Sequence, residues 1–264
     1  RISLAYVIMI ILIWIPMARR KSLAFLDVGQ GDCFVADTKS GAIIFDGGSS
    51  SEDQVGRYRI LPYMKYLGYQ KIQIAVISHM DIDHYSGIKE LLEMGKIKYL
   101  GLPEIPKDET MKKIIGIAKK RGTTIFYLSR GRQITTKDGS LKVLHPQKNS
   151  QMEKNAASLV MQGKILGYRV LLTGDVEKEG EEELLLEELE RADILKAAHH
   201  GSKNSTSNEF LQKVQPKQTV ISCGKQNRYG HPHLETIHRL QTYHTKIYRT
   251  DRSGAIIFFK RRDG

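Results

Sequence analysis

Ser78-His79-Met80-Asp81-Ile82-Asp83-His84-Tyr85-Ser86-Gly87 places two imidazoles and two carboxylates between His79 and His84, directly after the apolar run Lys71-Ile72-Gln73-Ile74-Ala75-Val76-Ile77. That run is rich in β-branched residues and reads as a buried strand, so the ligand types sit on the turn that leaves it. Four such groups are too many for one tetrahedral ion that keeps a position open for substrate, but they suit two ions side by side. The spacing therefore predicts a binuclear hydrolytic centre. A solvated acidic loop would explain any one of these residues equally well, so the decision rests on whether ligands recur at other strand ends.

They recur three times. Leu171-Leu172-Thr173-Gly174-Asp175 is an apolar strand ending in a carboxylate, a group that can bridge two cations. Ile194-Leu195-Lys196-Ala197-Ala198 runs into His199-His200-Gly201-Ser202. Neighbouring side chains at a strand end diverge, so one of the paired imidazoles is expected on metal and the other towards substrate. Tyr229-Gly230-His231-Pro232-His233 adds two more imidazoles on a loop. Asp46 closes the strand Ala42-Ile43-Ile44-Phe45 before Gly47-Gly48, where its carboxylate would orient a ligand imidazole from behind, although an aspartate favouring a glycine turn explains it as well. Polar groups gathered at apolar strand ends cost stability unless something satisfies them, which favours the metal reading. His145, His238 and His244 have no such neighbours in the sequence and are expected to be ordinary surface or core residues.

With 264 residues and 41% hydrophobic content, the chain is long enough for one large α/β domain. Lys and Arg number 41 against 29 Asp and Glu, a formal charge of +12, which favours polyanionic partners such as nucleic acid or anionic lipid. Only Cys33 and Cys223 are present, which excludes a disulfide framework and a cysteine zinc cluster. Residues 2–17 are uncharged and strongly apolar, and Arg19, Arg20 and Lys21 follow. Residues 1–21 are therefore expected to be the end of a transmembrane helix, with a hydrolase domain over residues 22–264. The positive-inside rule alone would place that domain in the cytoplasm.

The remaining elements are read from periodicity and turn signals. A meander of strands fills residues 21–46. Helices over 57–68, 86–94 and 109–121 alternate with strands over 71–77, 96–102 and 123–128. The second half repeats the plan, with strands over 132–136, 141–145, 158–162 and 169–173, an acidic helix over 177–191, then strands and helices to residue 243. In the acidic helix the glutamates are expected to be solvated, with Leu184, Leu185, Leu186 and Leu189 as the buried stripe. Residues 246–248 and 255–260 are expected to form a final hairpin. The order predicts an α/β (α+β) sandwich of two sheets flanked by helices, one half of the chain per sheet.

On these residues the chain resembles the metallo-β-lactamase superfamily of hydrolases. His79-Met80-Asp81-Ile82-Asp83-His84 is similar to its His-x-His-x-Asp-His motif, with Asp81 in place of the second His. Phe25-Leu26-Asp27-Val28-Gly29-Gln30-Gly31-Asp32, Asn155-Ala156-Ala157-Ser158-Leu159-Val160 and the motifs ending in Asp175, Ser202 and His233 complete an ordered set. That set resembles the C-terminal hydrolase domain of the ComEC family of DNA-uptake (competence) proteins.

The resemblance implies a four-layered αβ/βα sandwich with a binuclear site at one edge of its sheets, holding two divalent ions, Zn²⁺ or Mn²⁺. It implies that His79, Asp81 and one of His199 and His200 hold the first ion, with His200 favoured as ligand and His199 facing substrate. Asp83, also a catalytic residue, would hold the second ion with His84 and His231, and Asp175 would bridge. His199 or His233 would protonate the leaving oxygen, and Asn155 and Ser202 would contact substrate. Asp81 makes the site harder, so Mn²⁺ stands beside Zn²⁺. The implied function is a metal-dependent phosphodiesterase, a DNA nuclease acting on single-stranded DNA during uptake. It would work beside a membrane channel, with its hydrolase domain on the extracytoplasmic side, against the positive-inside reading. Two alternatives stand beside it: a small phosphodiester or ester hydrolase resembling phosphorylcholine esterases, and a DNA-binding scaffold with a non-catalytic metal site.

Overall fold

The strand that leads into the His79 motif sits in the middle of the fold's first half. β1 (Ser22–Phe25), β2 (Phe34–Thr38) and β3 (Gly41–Phe45) form an antiparallel meander, and β4 (Ile72–Val76), β5 (Ile97–Pro103) and β6 (Thr124–Leu128) then add in parallel. In this computed structural model Tyr6, residues 20–153 and residues 155–261 are described. The apolar segment expected to end a transmembrane helix lies outside the described residues apart from Tyr6. Among the described residues no helix is long and apolar enough to cross a membrane.

Parallel strands need crossovers, and helices supply them. A π-helical turn, Gly56–Ile60, runs into α1 (Leu61–Tyr66) before β4, α2 (Ile82–Glu93) follows β4, and α3 (Glu109–Lys120) follows β5. Ile60, Met64, Ile88, Leu91, Met111 and Ile114 from these helices pack on Ala24, Val35, Ile44, Ala75 and Leu100. The opposite faces of the same strands turn inwards, so Leu23 and Phe25 belong to the layer between the two sheets while Ala24 belongs to the helix side. Burial on both faces explains why these strands read as continuous apolar runs instead of alternating ones.

The second sheet holds β7 (Gln133–Thr136), β8 (Gly139–His145), β9 (Val160–Ile165), β10 (Tyr168–Leu172), β11 (Ile194–Lys196), β12 (Gln218–Ile221) and β13 (Lys246–Arg249), neighbours in that order. Its outer face is covered by α4 (Lys178–Leu185), α5 (Asn208–Val214) and α6 (Leu234–Thr242), through Leu184, Phe210, Leu211, Val214 and Leu240. Val170 and Leu172 of β10 join the layer between the sheets and Leu171 the outer one. The result is helices, sheet, sheet and helices, the two-sheet sandwich that the element order predicts.

Three local expectations are corrected. The last two strands do not form a hairpin. β13 runs parallel to β12, and after a single helical turn, Thr250–Ser253, the chain crosses to the other sheet, where β14 (Ile256–Phe259) pairs antiparallel with β1. Alternating hydrophobicity marks a strand but not which edge it joins. Phe258 and Tyr248 meet edge-on across the sandwich, ring centroids 5.8 Å apart.

The acidic helix stops at Leu185, because Gln162 on β9 donates to the Glu190 carbonyl and accepts from the Glu190 N–H, pulling the chain back to the sheet. Leu186 is left 86% exposed, outside the buried stripe expected of it. Finally, Glu181 is not a solvated glutamate. It is buried, and its carboxylate accepts from the backbone N–H groups of Thr206 and Ser207.

Candidate metal centre

The ligand-rich turn after β4 is shorter than its sequence suggests, because α2 begins at Ile82 and not near Ser86. Asp83 and His84 therefore stand on the first helical turn, where the positive end of the helix dipole favours a carboxylate. The Gly47-Gly48 turn is pressed against this helix start. A side chain at Gly48 would place its Cβ 2.6 Å from the His84 backbone nitrogen, so only glycine allows the approach.

Asp46, held at a left-handed φ of 57°, is the hub behind the motif. Its Oδ1 accepts from the Ser78 N–H at 2.7 Å, and its Oδ2 accepts from the Ser78 hydroxyl at 2.8 Å and lies 3.0 Å from His84 Nδ1. The Ser78 hydroxyl is 3.0 Å from His79 Nδ1. With Nδ1 of each imidazole engaged at the back, Nε2 of each faces forwards.

The second half of the fold brings its ligands to the same place. Asp175 follows β10 by way of Gly174, and its Oδ2 is 3.1 Å from His84 Nε2, 3.3 Å from His200 Nε2 and 3.8 Å from His199 Nε2. His199 and His200 both occupy the left-handed region, at φ 47° and 52°, a local strain of roughly 1–3 kcal/mol per residue that accompanies the divergence of their rings. His200 Nδ1 donates to the Ser222 carbonyl at 2.9 Å, leaving Nε2 3.3 Å from Asp83 Oδ2. His199 turns the other way, its Nδ1 2.8 Å from Glu177 Oε1.

Nε2 of His79, His84 and His200 and Nδ1 of His231 are buried and make no hydrogen bond, although carboxylates stand near some of them. Such orphaned atoms call for an ion or a proton. His79, His84 and Asp175 form one group with ligand atoms within 4.8 Å of one another, and Asp83, His84 and His200 form another. The donor set is nitrogen and carboxylate oxygen, which fits divalent cations of the zinc and manganese kind.

Beneath these groups lies a cation that the sequence reading passed over. Lys196, at the end of β11 and only 4% exposed, forms an ion pair with Asp32 Oδ2, lies 3.5 Å from Asp175 Oδ1 and donates to the Gly174 carbonyl at 3.0 Å. A lysine inside the run Ile194-Leu195-Lys196-Ala197-Ala198 was the available signal, since a buried ammonium requires a buried partner. Burial opposes ionisation of Asp32, yet Lys196 and His200 hold it down at about 2. Burial likewise disfavours charge on His84 and His200, but the carboxylates of Asp175 with Asp46, and of Asp175 with Asp32, raise both well above the ordinary imidazole value.

The other expected residues lie around this cluster. Asp81 occupies the N-cap position of α2 without a side-chain capping hydrogen bond, and its Oδ2 is 3.7 Å from His79 Nε2. The His231 ring is 5.4 Å from His199 and 6.1 Å from His200, one ring further out than the two groups above, and burial together with His200 and His199 lowers its pKa to about 4. His233 accepts from the Lys203 N–H at 3.1 Å, which fixes its ring at the start of α6. Ser202 is buried and its hydroxyl accepts from Asn204 N–H within its own loop. Asn155 lines a cleft of about 600 Å³ with Glu153, Ala156 and Glu177. His145 is a core residue, its Nε2 donating to the Ala156 carbonyl at 2.7 Å.

Residues 26–225 match the metallo-beta-lactamase superfamily. The chain belongs to that superfamily. The superfamily fold is seen in the metallo-beta-lactamase fold protein YhfI of Bacillus subtilis, which aligns with a TM-score of 0.59 at 12% identity over 91% of this chain and 99% of that one. In sequence the chain is 35% identical to ComE operon protein 3 of Bacillus subtilis (strain 168), over 98% of its own length and 35% of the relative's. It is 30% identical to competence protein ComA of Neisseria gonorrhoeae, over 90% of its length and 32% of that protein's. The chain thus spans about a third of the length of these relatives. It is a metallo-β-lactamase superfamily hydrolase related to competence proteins, with the His and Asp clusters of a metal site.

Proposed function

We propose that the chain is a metal-dependent phosphodiesterase that cleaves DNA, single-stranded by preference, during DNA uptake in competence. The observation that carries this reading is Asp175 Oδ2, which faces the Nε2 atoms of His84, His199 and His200 together. His79, Asp81 and Asp175 would hold one divalent ion, Zn²⁺ or Mn²⁺. Asp83, His84 and His200 would hold a second beside Asp175, with His231 closing that side. Ions bound there would make a water nucleophilic and neutralise charge gathering on phosphate oxygens.

The chain's own groups do the rest. Asp46 and Ser78 fix the direction of His79 and His84, and Ser222 fixes His200. His199, less buried than His200 and held by Glu177, would hand a proton to the leaving oxygen. The formal charge of +12 supplies attraction for a polyanion, and kinship to a protein named for competence supplies the DNA context. In that context the domain would sit on the extracytoplasmic side of a membrane channel.

Elemental analysis of the purified full chain, followed by cleavage assays on single-stranded and duplex DNA with Mn²⁺ and with Zn²⁺, tests the reading. Asp83→Ala and Asp175→Ala are expected to lose activity at least about 100-fold, the upper end of what losing a residue that only orients a metal ligand costs. Undiminished cleavage by either variant would refute the assigned centre. Turnover of a small chromogenic phosphodiester without DNA cleavage would move the assignment to a small-substrate hydrolase. DNA binding that survives chelation, with no hydrolysis, would move it to a scaffold.

A further inference from the structure

The loop that carries His231 also carries an aromatic ring that metal chemistry leaves unused. Tyr229 is 42% exposed, so its ring meets solvent beside the candidate metal centre. It stacks on His231, with centroids 5.6 Å and planes 21° apart, and His231 in turn stands 31° from the plane of His200. Rings therefore run outwards in series from His200, at the metal centre, to solvent.

This outer ring is held in place. Arg228 donates from Nη2 to the Tyr229 hydroxyl at 2.6 Å, with its guanidinium carbon 4.8 Å from the ring centroid. The loop beneath is pinned by Asn227, whose side-chain amide donates to the carbonyls of Gly224 and His231 and whose side-chain oxygen accepts from His231 N–H. An exposed ring with an exposed guanidinium lying over it combines the two parts of a single-strand binding site, since a base that displaces the guanidinium gains a stacking face and leaves the cation to the backbone.

We infer that Tyr229, with Arg228 beside it, is a nucleobase-stacking subsite that seats one base of a single-stranded nucleic acid next to the phosphate at the metal centre. The phosphate's place is taken from the phosphodiesterase reading above, and the stacking face from the ring geometry alone. Every base offers a π-face, so the subsite is indifferent to sequence. A duplex base already has both faces covered, so the subsite selects for single strands.

The test compares a single-stranded oligonucleotide with an abasic oligonucleotide of the same length, using the full chain with Mn²⁺. Wild type is expected to bind and cleave the base-bearing strand about 10-fold better than the abasic one, the size of effect that stacking one base on an aromatic side chain supplies. Tyr229→Ala is expected to erase that difference, mainly through KM and Kd, while leaving the abasic strand unaffected, and Tyr229→Phe is expected to keep it. Equal loss on both strands in Tyr229→Ala would reduce Tyr229 to a prop for His231 and overturn the inference, as would equal treatment of both strands by wild type. Binding by fluorescence anisotropy reads the subsite without hydrolysis. Preserved base discrimination in binding with no cleavage at all would therefore sink the phosphodiesterase reading and leave the subsite standing.

Discussion

Glu177 and His199 form a dyad at the rim of the candidate metal centre, Oε1 to Nδ1 2.8 Å, and the other face of the same imidazole turns its Nε2 to within 3.8 Å of Asp175 Oδ2. A carboxylate behind an imidazole fixes its tautomer and aims the far nitrogen, the arrangement that general acids and bases use.

The dyad gives a leaving-group test. If His199 donates a proton, Glu177→Gln and His199→Gln should slow cleavage of DNA, whose alkoxide leaves only with help, by about 100-fold or more in kcat. Both should nearly spare a p-nitrophenyl phosphodiester, whose phenolate leaves unaided. Metal content should not change in either. An equal loss on both substrates accompanied by loss of metal would instead make His199 the ligand of the pair.

Much of this site was legible because ligand types at strand ends are unusual and the strands that deliver them are strongly apolar. His79, Asp175 and His200 declared themselves in that way. Glu177 did not, because it opens an acidic run that reads as a solvated face. The pairing of Asp32 with Lys196 was hidden for a different reason: Asp32 lies on the β1–β2 connection of the first sheet and Lys196 on β11 of the second, and they meet only when the sandwich closes. The four layers followed from the order of strands and helices. The crossing of β14 back to β1 did not, because pairing at a sheet edge depends on where the turn at Thr250–Ser253 sends the chain.

That buried pair makes its own prediction. Lys196→Met would take from the buried Asp32 its nearest counter-charge, leaving only the His200 and His84 imidazoles beside it, and should cost about 3–5 kcal/mol of stability, the range for removing one partner of a buried ion pair. Adding Asp32→Asn should recover a large part of the loss, because the stranded charge goes with it. Denaturant unfolding of the metal-free single and double variants measures both. A single-variant loss below about 1 kcal/mol, the scale of a surface pair, would show that water reaches Asp32.

His84 and His200 tie metal loading to pH. Burial alone would keep both imidazoles neutral, but Asp175 with Asp46 at His84, and Asp175 with Asp32 at His200, raise both well above the ordinary value. A raised histidine contributes stability that is fully present below its unfolded value of about 6.5 and is lost as pH climbs through the folded value. Asp32, lowered to about 2, and Asp175, lowered well below the carboxylate range despite its burial, contribute stability that is present above the ordinary carboxylate value and lost as pH falls through the folded one. The metal-free protein should therefore lose Tm as pH rises above about 6.5. Divalent cations would replace those protons as counter-charge to Asp175, so the Mn²⁺- or Zn²⁺-loaded protein should hold its Tm across the same interval, and loading at neutral pH should release protons. Thermal unfolding with and without chelator gives the first comparison, and titration calorimetry in buffers of different ionisation heat gives the second. A flat metal-free Tm over that interval, with no proton release on loading, would mean that these imidazoles carry no proton for a cation to displace.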